Sequence, residues 1–214
     1  MDTLSFSISD GTITLDEKNN NKKRGGRNKG KSLLDFPSEY IMLDIETTGL
    51  SPLRDEATIS QYSSLVQPSN YYYWDEDCEE DYIIINGEKA FYIDSFITKL
   101  TGITNKMLEQ APPLASVLNE FQNFIGNSTL VGHNANFDIN FLYDAFLECL
   151  GTELKNNYID TLRLARRLLP DLPHHRLDDL TKYYQISSRN LHRSLNDCDK
   201  TISIYASLKK EVIS

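Results

Sequence analysis

Two acidic residues, Asp44 and Glu46, stand two positions apart after a short apolar run at residues 40–43. The run is rich in strand formers and residues 47–49 give a turn signal, which predicts a buried strand ending in a loop. Side chains alternate along a strand, so both carboxylates project from one face. Because burying unpaired charge is costly, such a pair calls for a divalent metal ion. A solvated strand end carrying an innocent acid pair is the other interpretation.

Two later segments each combine a histidine with an aspartate. His133 and Asp138 follow a short strand predicted at residues 129–131, with Asp138 in the first turn of a helix. His192 precedes Asp197 by five residues, a little over one helical turn, which places His192 in the loop entering the last predicted helix. Carboxylates from a strand and two helices are the hard oxygen ligands that Mg²⁺ and Mn²⁺ prefer.

Taken in order, these segments resemble the three motifs of the DnaQ-like, or DEDDh, 3′-5′ exonuclease family, to which the proofreading subunit of the bacterial replicative polymerase belongs. They are residues 44–50, 133–138 and 192–197, and the last has the H-x-x-x-x-D spacing that names the subfamily. Residues 100–104, 111–112 and 160–162 are secondary matches. The resemblance covers roughly residues 40–209, and three ordered motifs are far more specific than any one of them.

The resemblance implies an α/β, ribonuclease H-like fold and a phosphodiester hydrolase that uses two divalent ions, Mg²⁺ or Mn²⁺. Two such ions activate a water, stabilise the departing 3′-oxygen and neutralise the phosphoryl charge. The implied metal ligands are Asp44, Glu46, Asp138 and Asp197. A neutral imidazole accepts a proton at cellular pH, so His192 is assigned as the general base toward the attacking water.

Substrate contacts are implied by the same resemblance. Backbone groups near the first motif meet the 3′-hydroxyl of the terminal nucleotide, while apolar or stacking side chains meet its base, a contact that accepts any base. His133 contacts the substrate backbone or makes a structural hydrogen bond, and Asp160 is an N-cap or supports the ligands. The expected substrate-binding residues are Thr47, Thr48, Gly49, Leu50, Thr101, Ile103, His133, Asn134 and Phe137.

The function that follows is release of nucleoside 5′-monophosphates from a single-stranded or frayed 3′ end of DNA, in proofreading or repair. RNA trimming is the alternative within the class, since the two differ in how the site treats a 2′-hydroxyl. Residues 49–52 and 100–103 resemble the polymerase-associated branch, which favours DNA. The alternative from another class is a degenerate fold that binds nucleic acid or a DNA polymerase without cutting. A DNA polymerase is also a candidate partner of the active enzyme.

The composition fits one globular domain that stays out of the membrane. The chain has 214 residues, 40% of them hydrophobic, which suffices for one sizeable core. We expect a cytoplasmic protein, because we find neither an apolar run of membrane-spanning length nor a secretory pattern. The net charge of −9 disfavours nucleic-acid binding in general, but carboxylates that hold divalent cations present a positive site once loaded.

The predicted organisation is a flexible basic lead-in at residues 1–35 and an exonuclease domain at residues 36–214. Residues 19–31 are polar and basic with nothing to bury, and either contact nucleic acid or form a solvated linker. Further strands are predicted at residues 63–66 and 82–85 and helices at 117–125, 137–150, 160–169, 177–184 and 195–213, a mixed sheet flanked by helices. Residues 51–62 are too few for the two strands that the family places there. Either an edge strand is missing or residues 57–62 are reused, and the acidic insertion at 71–81 has no assigned role.

Overall fold

The main structural unit is a mixed β-sheet with helices on both faces. The computed structural model describes residues 6–9, 12–15, 27–47, 59–67, 95–109, 111–187 and 194–213. The strands are β1 Phe6–Ser9, β2 Thr12–Leu15, β3 Ser32–Leu33, β4 Asp35–Phe36, β5 Tyr40–Thr47, β6 Ile59–Gln67, β7 Leu130–Gly132 and β8 Tyr158–Asp160. The helices are α1 Ser95–Thr101, α2 Asn105–Glu109, α3 Leu114–Ile125, α4 Asn136–Leu150, α5 Thr161–Leu168, α6 Leu177–Tyr183 and α7 Ser194–Ile213.

The main sheet has five described strands in the order β3-β8-β7-β5-β6. Strand β5 pairs in parallel with β7 and antiparallel with β6, while β7 pairs in parallel with β8. The carboxyl ends of parallel strands share one edge of a sheet, which is where ligands bind in open α/β folds. The ends of β5, β7 and β8 therefore bring Glu46, Gly132 and Asp160 to the same edge.

Alternation along β5 divides the core into two layers. Ile41, Leu43 and Ile45 point to one face and pack with residues of α3 and α4. Met42 points to the other face and packs with residues of α5, α6 and α7. Because Asp44 and Glu46 share the parity of Met42, they project toward the α7 side.

The mixed sheet and its flanking helices confirm the predicted fold class. Each of the five predicted helices is present, with ends shifted by at most a few residues. Strand β6 runs unbroken over residues 59–67, so residues 59–62 are reused as its first part. The strand predicted at residues 82–85 and the insertion at 71–81 lie outside the described residues. No helix in the described ranges is both long and apolar enough to span a membrane.

Residues before position 36 contribute more to the fold than their composition predicted. Strands β1, β2 and β4 form a second, small sheet, and Ile13 and Leu15 of β2 are buried in the core. Further along, Arg27 donates two hydrogen bonds to the Asp144 carboxylate, at 2.8 and 2.6 Å. The residues predicted to have nothing to bury are the basic run 19–31, and the alternating apolar residues at 12–15 were given no weight.

Candidate active site

Strand β5 and helix α7 bring three carboxylates together. One oxygen each from Asp44, Glu46 and Asp197 lies within 4.8 Å of the other two, and all three side chains are half-buried. We call these three residues the acidic cluster. Helix α7 runs antiparallel to β5. Asp197 near the start of the helix lies by the end of the strand, whereas Tyr205 further along the helix meets Tyr40 at the start of the strand, with the rings edge to face and their centroids 5.0 Å apart. The same helix–strand packing that buries these rings therefore positions Asp197 over the β5 acids.

Asp138 approaches the acidic cluster from the other helical layer. It stands in the first turn of α4, is 5% exposed, and accepts a hydrogen bond at 3.2 Å from the backbone N–H of Ile45, the residue between the two β5 acids. Gly132 at the end of β7 permits this approach, since a Cβ there would lie 2.9 Å from the carbonyl oxygen of Leu43. A larger residue would push the β7–α4 connection away from β5.

Burial and neighbouring negative charges raise the pKa values of Asp44, Glu46 and Asp138. Burial raises the pKa of Asp44 well above its usual range, and the charges of Asp138, Glu46 and Asp197 add to the effect. Burial, followed by the charge of Asp197, raises the pKa of Glu46 to about 7. Burial likewise raises the pKa of Asp138 to about 8, although backbone N–H groups oppose the shift. The site is thus short of positive charge, and its all-oxygen donor set fits a hard divalent cation such as Mg²⁺ or Mn²⁺.

Lys200 is a site residue that sequence reasoning missed. Its ammonium group lies 2.8 Å from Oδ1 of Asp197, three residues earlier on α7, and the lysine is buried. Helical spacing in the sequence could have identified Lys200, because it places this lysine on the same face of α7 as Asp197, Thr201 and Ile204, the face that packs on the sheet. A lysine among residues of a helix that face the core indicates that its charge is paired with a buried acidic group.

Asp160 joins two loops at the carboxyl edge of the main sheet. Its Oδ1 accepts hydrogen bonds from the backbone N–H of Leu162, at 3.0 Å, and from that of Asn134, at 2.9 Å. The first bond confirms the predicted N-cap of α5. The second holds the β7–α4 loop, where Asn134 adopts a left-handed backbone with φ of 60°. Asp160 therefore fixes the loop that leads into Asp138.

His133 makes a structural hydrogen bond in this form of the protein. Its Nδ1 lies 3.0 Å from Oγ1 of Thr161, whose hydroxyl donates to the carbonyl of Gly132 at 3.2 Å. Burial lowers the pKa of His133 to about 4, so the imidazole is neutral at pH 7. Of the two roles considered from the sequence, the structural one is present here, and a substrate contact stays a prediction.

The remaining expected substrate residues differ in exposure. Thr101 and Ile103 are each 2% exposed, and the N–H of Ile103 donates to Oγ1 of Thr101 at 3.2 Å. Phe137 is half-buried against Phe141, with ring centroids 4.9 Å apart. Thr47 ends β5 beside Glu46. Four residues of the predicted site lie outside the described part of the chain, namely His192, Thr48, Gly49 and Leu50.

The fold defined above is that of known exonucleases. E. coli exonuclease I in complex with an oligonucleotide aligns with a TM-score of 0.60 and 19% identity, covering 81% of this chain and 40% of that one. Exonuclease X in complex with 5′ overhanging duplex DNA aligns with a TM-score of 0.53 and 22% identity, covering 82% and 92%. At these identities the likeness establishes the ribonuclease H-like fold.

The family follows from the sequence. The model of the exonuclease family RNase_T matches residues 41–205, which span β5 and most of α7. The chain therefore belongs to the RNase_T, or DnaQ-like, exonuclease family.

Its relatives include PolC-type DNA polymerases III. That of Caldanaerobacter subterraneus is 33% identical over 183 residues, which is 86% of this chain and 12% of the relative. That of Bacillus subtilis is 35% identical over 173 residues, 80% of this chain and 11% of the relative. The chain thus spans about a tenth of the length of these relatives.

Proposed function

We propose that this protein is a metal-dependent 3′-5′ exonuclease that releases nucleoside 5′-monophosphates from DNA. The observation that carries the proposal is the acidic cluster, with three carboxylate oxygens within 4.8 Å of one another. Asp138 stands against the backbone between two of those residues. Such a set has no structural need in a small domain, because repelling buried carboxylates destabilise the fold unless a cation joins them.

The proposed roles divide the site between metal ligands and a proton acceptor. Asp44, Glu46, Asp138 and Asp197 hold two divalent ions, Mg²⁺ or Mn²⁺. Such ions supply an activated water and neutralise charge on the phosphoryl group and the departing oxygen. His192 accepts the proton of the attacking water, as the family motif implies. His192 is outside the described residues, so this role rests on the motif alone.

The proposed substrate groups are those that the family motifs imply. Backbone groups of Thr47 and Thr48, in the segment with Gly49, receive the terminal 3′-hydroxyl. The apolar or stacking surfaces for its base are Leu50, Thr101, Ile103 and Phe137, and His133 and Asn134 complete the proposed set. Stacking and apolar contact accept any base, which an exonuclease requires.

DNA is the proposed substrate and a DNA polymerase the proposed partner. The relatives are DNA polymerases by name, and the matched segment is a small part of each. Among proteins of the same fold, exonuclease I is known in complex with single-stranded DNA and exonuclease X with a 5′ overhanging duplex. The exonuclease I complex supports single-stranded DNA as the substrate, and a frayed 3′ end belongs to the proposal as the motifs imply it. The cytoplasmic location expected from the sequence belongs to the same proposal.

The test is digestion of a 5′-labelled single-stranded DNA oligonucleotide with Mg²⁺ or Mn²⁺. We expect a ladder that shortens from the 3′ end, and a rate at least ~100-fold lower for Asp44→Ala, which removes a metal ligand. A matched RNA oligonucleotide tests the sugar preference, and we expect slower digestion than of DNA. Absence of a ladder from the parent protein, or equal rates for parent and Asp44→Ala, contradicts the proposal.

A further inference from the structure

A buried cation lies beside the acidic cluster. The ammonium group of Lys200 is 2.8 Å from Oδ1 of Asp197, and the two side chains are 7% and 17% exposed. Lysine is almost never buried this deeply without a partner, because its charge loses its hydration. Lys200 stands in a buried stretch of α7 that also includes Cys198 and Thr201. Lys200 is therefore held in the site by its charge.

The charge of Lys200 acts on more than one carboxylate. The positive charge of Lys200 opposes the rise in the pKa of Asp44 on β5, and its ammonium group forms an ion pair with Asp197 on the same helix. Lys200 thus offsets part of the repulsion that a divalent ion would otherwise have to relieve.

We propose that Lys200 is the site's own counter-cation, which holds Asp197 in the metal-free protein and competes with a divalent ion for that carboxylate. This inference rests on the proposed function, since it takes Asp44, Glu46 and Asp197 as metal ligands. Lys200 is a positioning residue in this scheme, because it acts through Asp197. As a consequence of this competition, the affinity of the site for a divalent ion is lower than the four carboxylates would give without Lys200.

Two effects of opposite sign separate this role from simple packing. A neutral side chain at position 200 removes the counter-charge, so the metal-free protein becomes less stable. The same change removes the repulsion between the ammonium and a divalent ion, so the ion binds more tightly. A residue that only packs the helix would, when replaced, weaken both stability and metal binding.

The experiment compares the full chain with Lys200→Met, whose unbranched side chain fills similar space. Both proteins are stripped with a chelator, melted without metal, and titrated calorimetrically with Mn²⁺. We expect a lower melting temperature without metal and a Kd for Mn²⁺ about tenfold lower or more. Lys209→Met makes the same charge change nine residues further along α7 and is expected to match the parent.

Each outcome decides between the two proposals. If the parent binds Mn²⁺ and Lys200→Met binds it equally or more weakly, the counter-cation role is wrong and the proposed function stands. If only the variant binds, competition by Lys200 is supported. If neither binds, the proposed function fails and this inference fails with it. Should Lys200→Met not fold without metal, Lys200→Gln replaces it, and the same tightening is required.

Discussion

The carboxylates of β5 and α4 determine how the metal-free protein responds to pH. The pKa of Glu46 is raised to about 7 and that of Asp138 to about 8. In the unfolded chain these groups titrate near pH 4. Between those values the folded protein binds protons that the unfolded chain has released, so the free energy of unfolding falls as pH rises from about 4 to about 8. Acidic pH therefore stabilises the metal-free form.

This prediction is checked by urea unfolding in chelator at several pH values between 5 and 8. We expect a free energy of unfolding that falls with pH in the parent and falls less steeply in Glu46→Gln, which has one raised group fewer. Saturating Mn²⁺ should flatten the parent's dependence, because the ion binds the ionised carboxylates. If the free energy of unfolding of Glu46→Gln fell with pH as steeply as that of the parent, Glu46 would not be one of the groups that titrate in this range.

At this scale, sequence predicted the acids better than their partners. The common face of Asp44 and Glu46 follows from side-chain alternation, and Asp197 was identified by the resemblance of residues 192–197 to the third family motif. Lys200 was missed because a lysine in a helix is usually a solvated residue. Only the packing of α7 on β5 shows that it is buried.

Among the secondary-structure elements, the loops at the carboxyl edge are joined by Asp160. Its single carboxylate caps α5 and holds the N–H of Asn134 in the loop before α4. We expect Asp160→Ala to lower the free energy of unfolding by about 1–2 kcal/mol, in the upper part of the range for losing an N-cap, because the hydrogen bond to Asn134 is lost as well. Asp138 would then be less well positioned, so the affinity for Mn²⁺ should fall as well.

Urea unfolding and calorimetric Mn²⁺ titration measure the two effects. Asp171→Ala, which removes an exposed aspartate from the connection after α5, is the matched control and should stay within about 0.5 kcal/mol of the parent. If Asp160→Ala lost stability but kept the parent's Mn²⁺ affinity, the link from Asp160 to the metal site would be wrong.

Regular helices were predictable and short strands were not. Helices α3, α4 and α7 carry apolar residues at helical spacing, so their positions follow from the sequence. Strands β3 and β4 have two residues each, and they exist because β8 and β2 lie beside them. Such strands leave no periodic pattern. The same is true of the docking of residues 27–31, which depends on distant partners such as Asp144.

For the whole molecule, the two core layers explain how a strongly acidic chain builds a nuclease site. Helix α4 in one layer and α7 in the other each deliver an aspartate to the same end of β5. The chain has a net charge of −9, and part of the repulsion among its carboxylates is concentrated at this site. Divalent ions bound there would relieve that repulsion. The fold class was predictable from the motifs and their order, whereas the contribution of β1 and β2 to a second sheet was not.

The central claim is that Asp44, Glu46, Asp138 and Asp197 form one metal centre. Its most direct test is anomalous X-ray diffraction from crystals of the protein soaked with Mn²⁺ and a nucleoside 5′-monophosphate. The account predicts anomalous peaks at bonding distance from the oxygens of Asp44 and Glu46, with Asp138 and Asp197 completing the coordination. Strong Mn²⁺ peaks elsewhere with none among these carboxylates would contradict it.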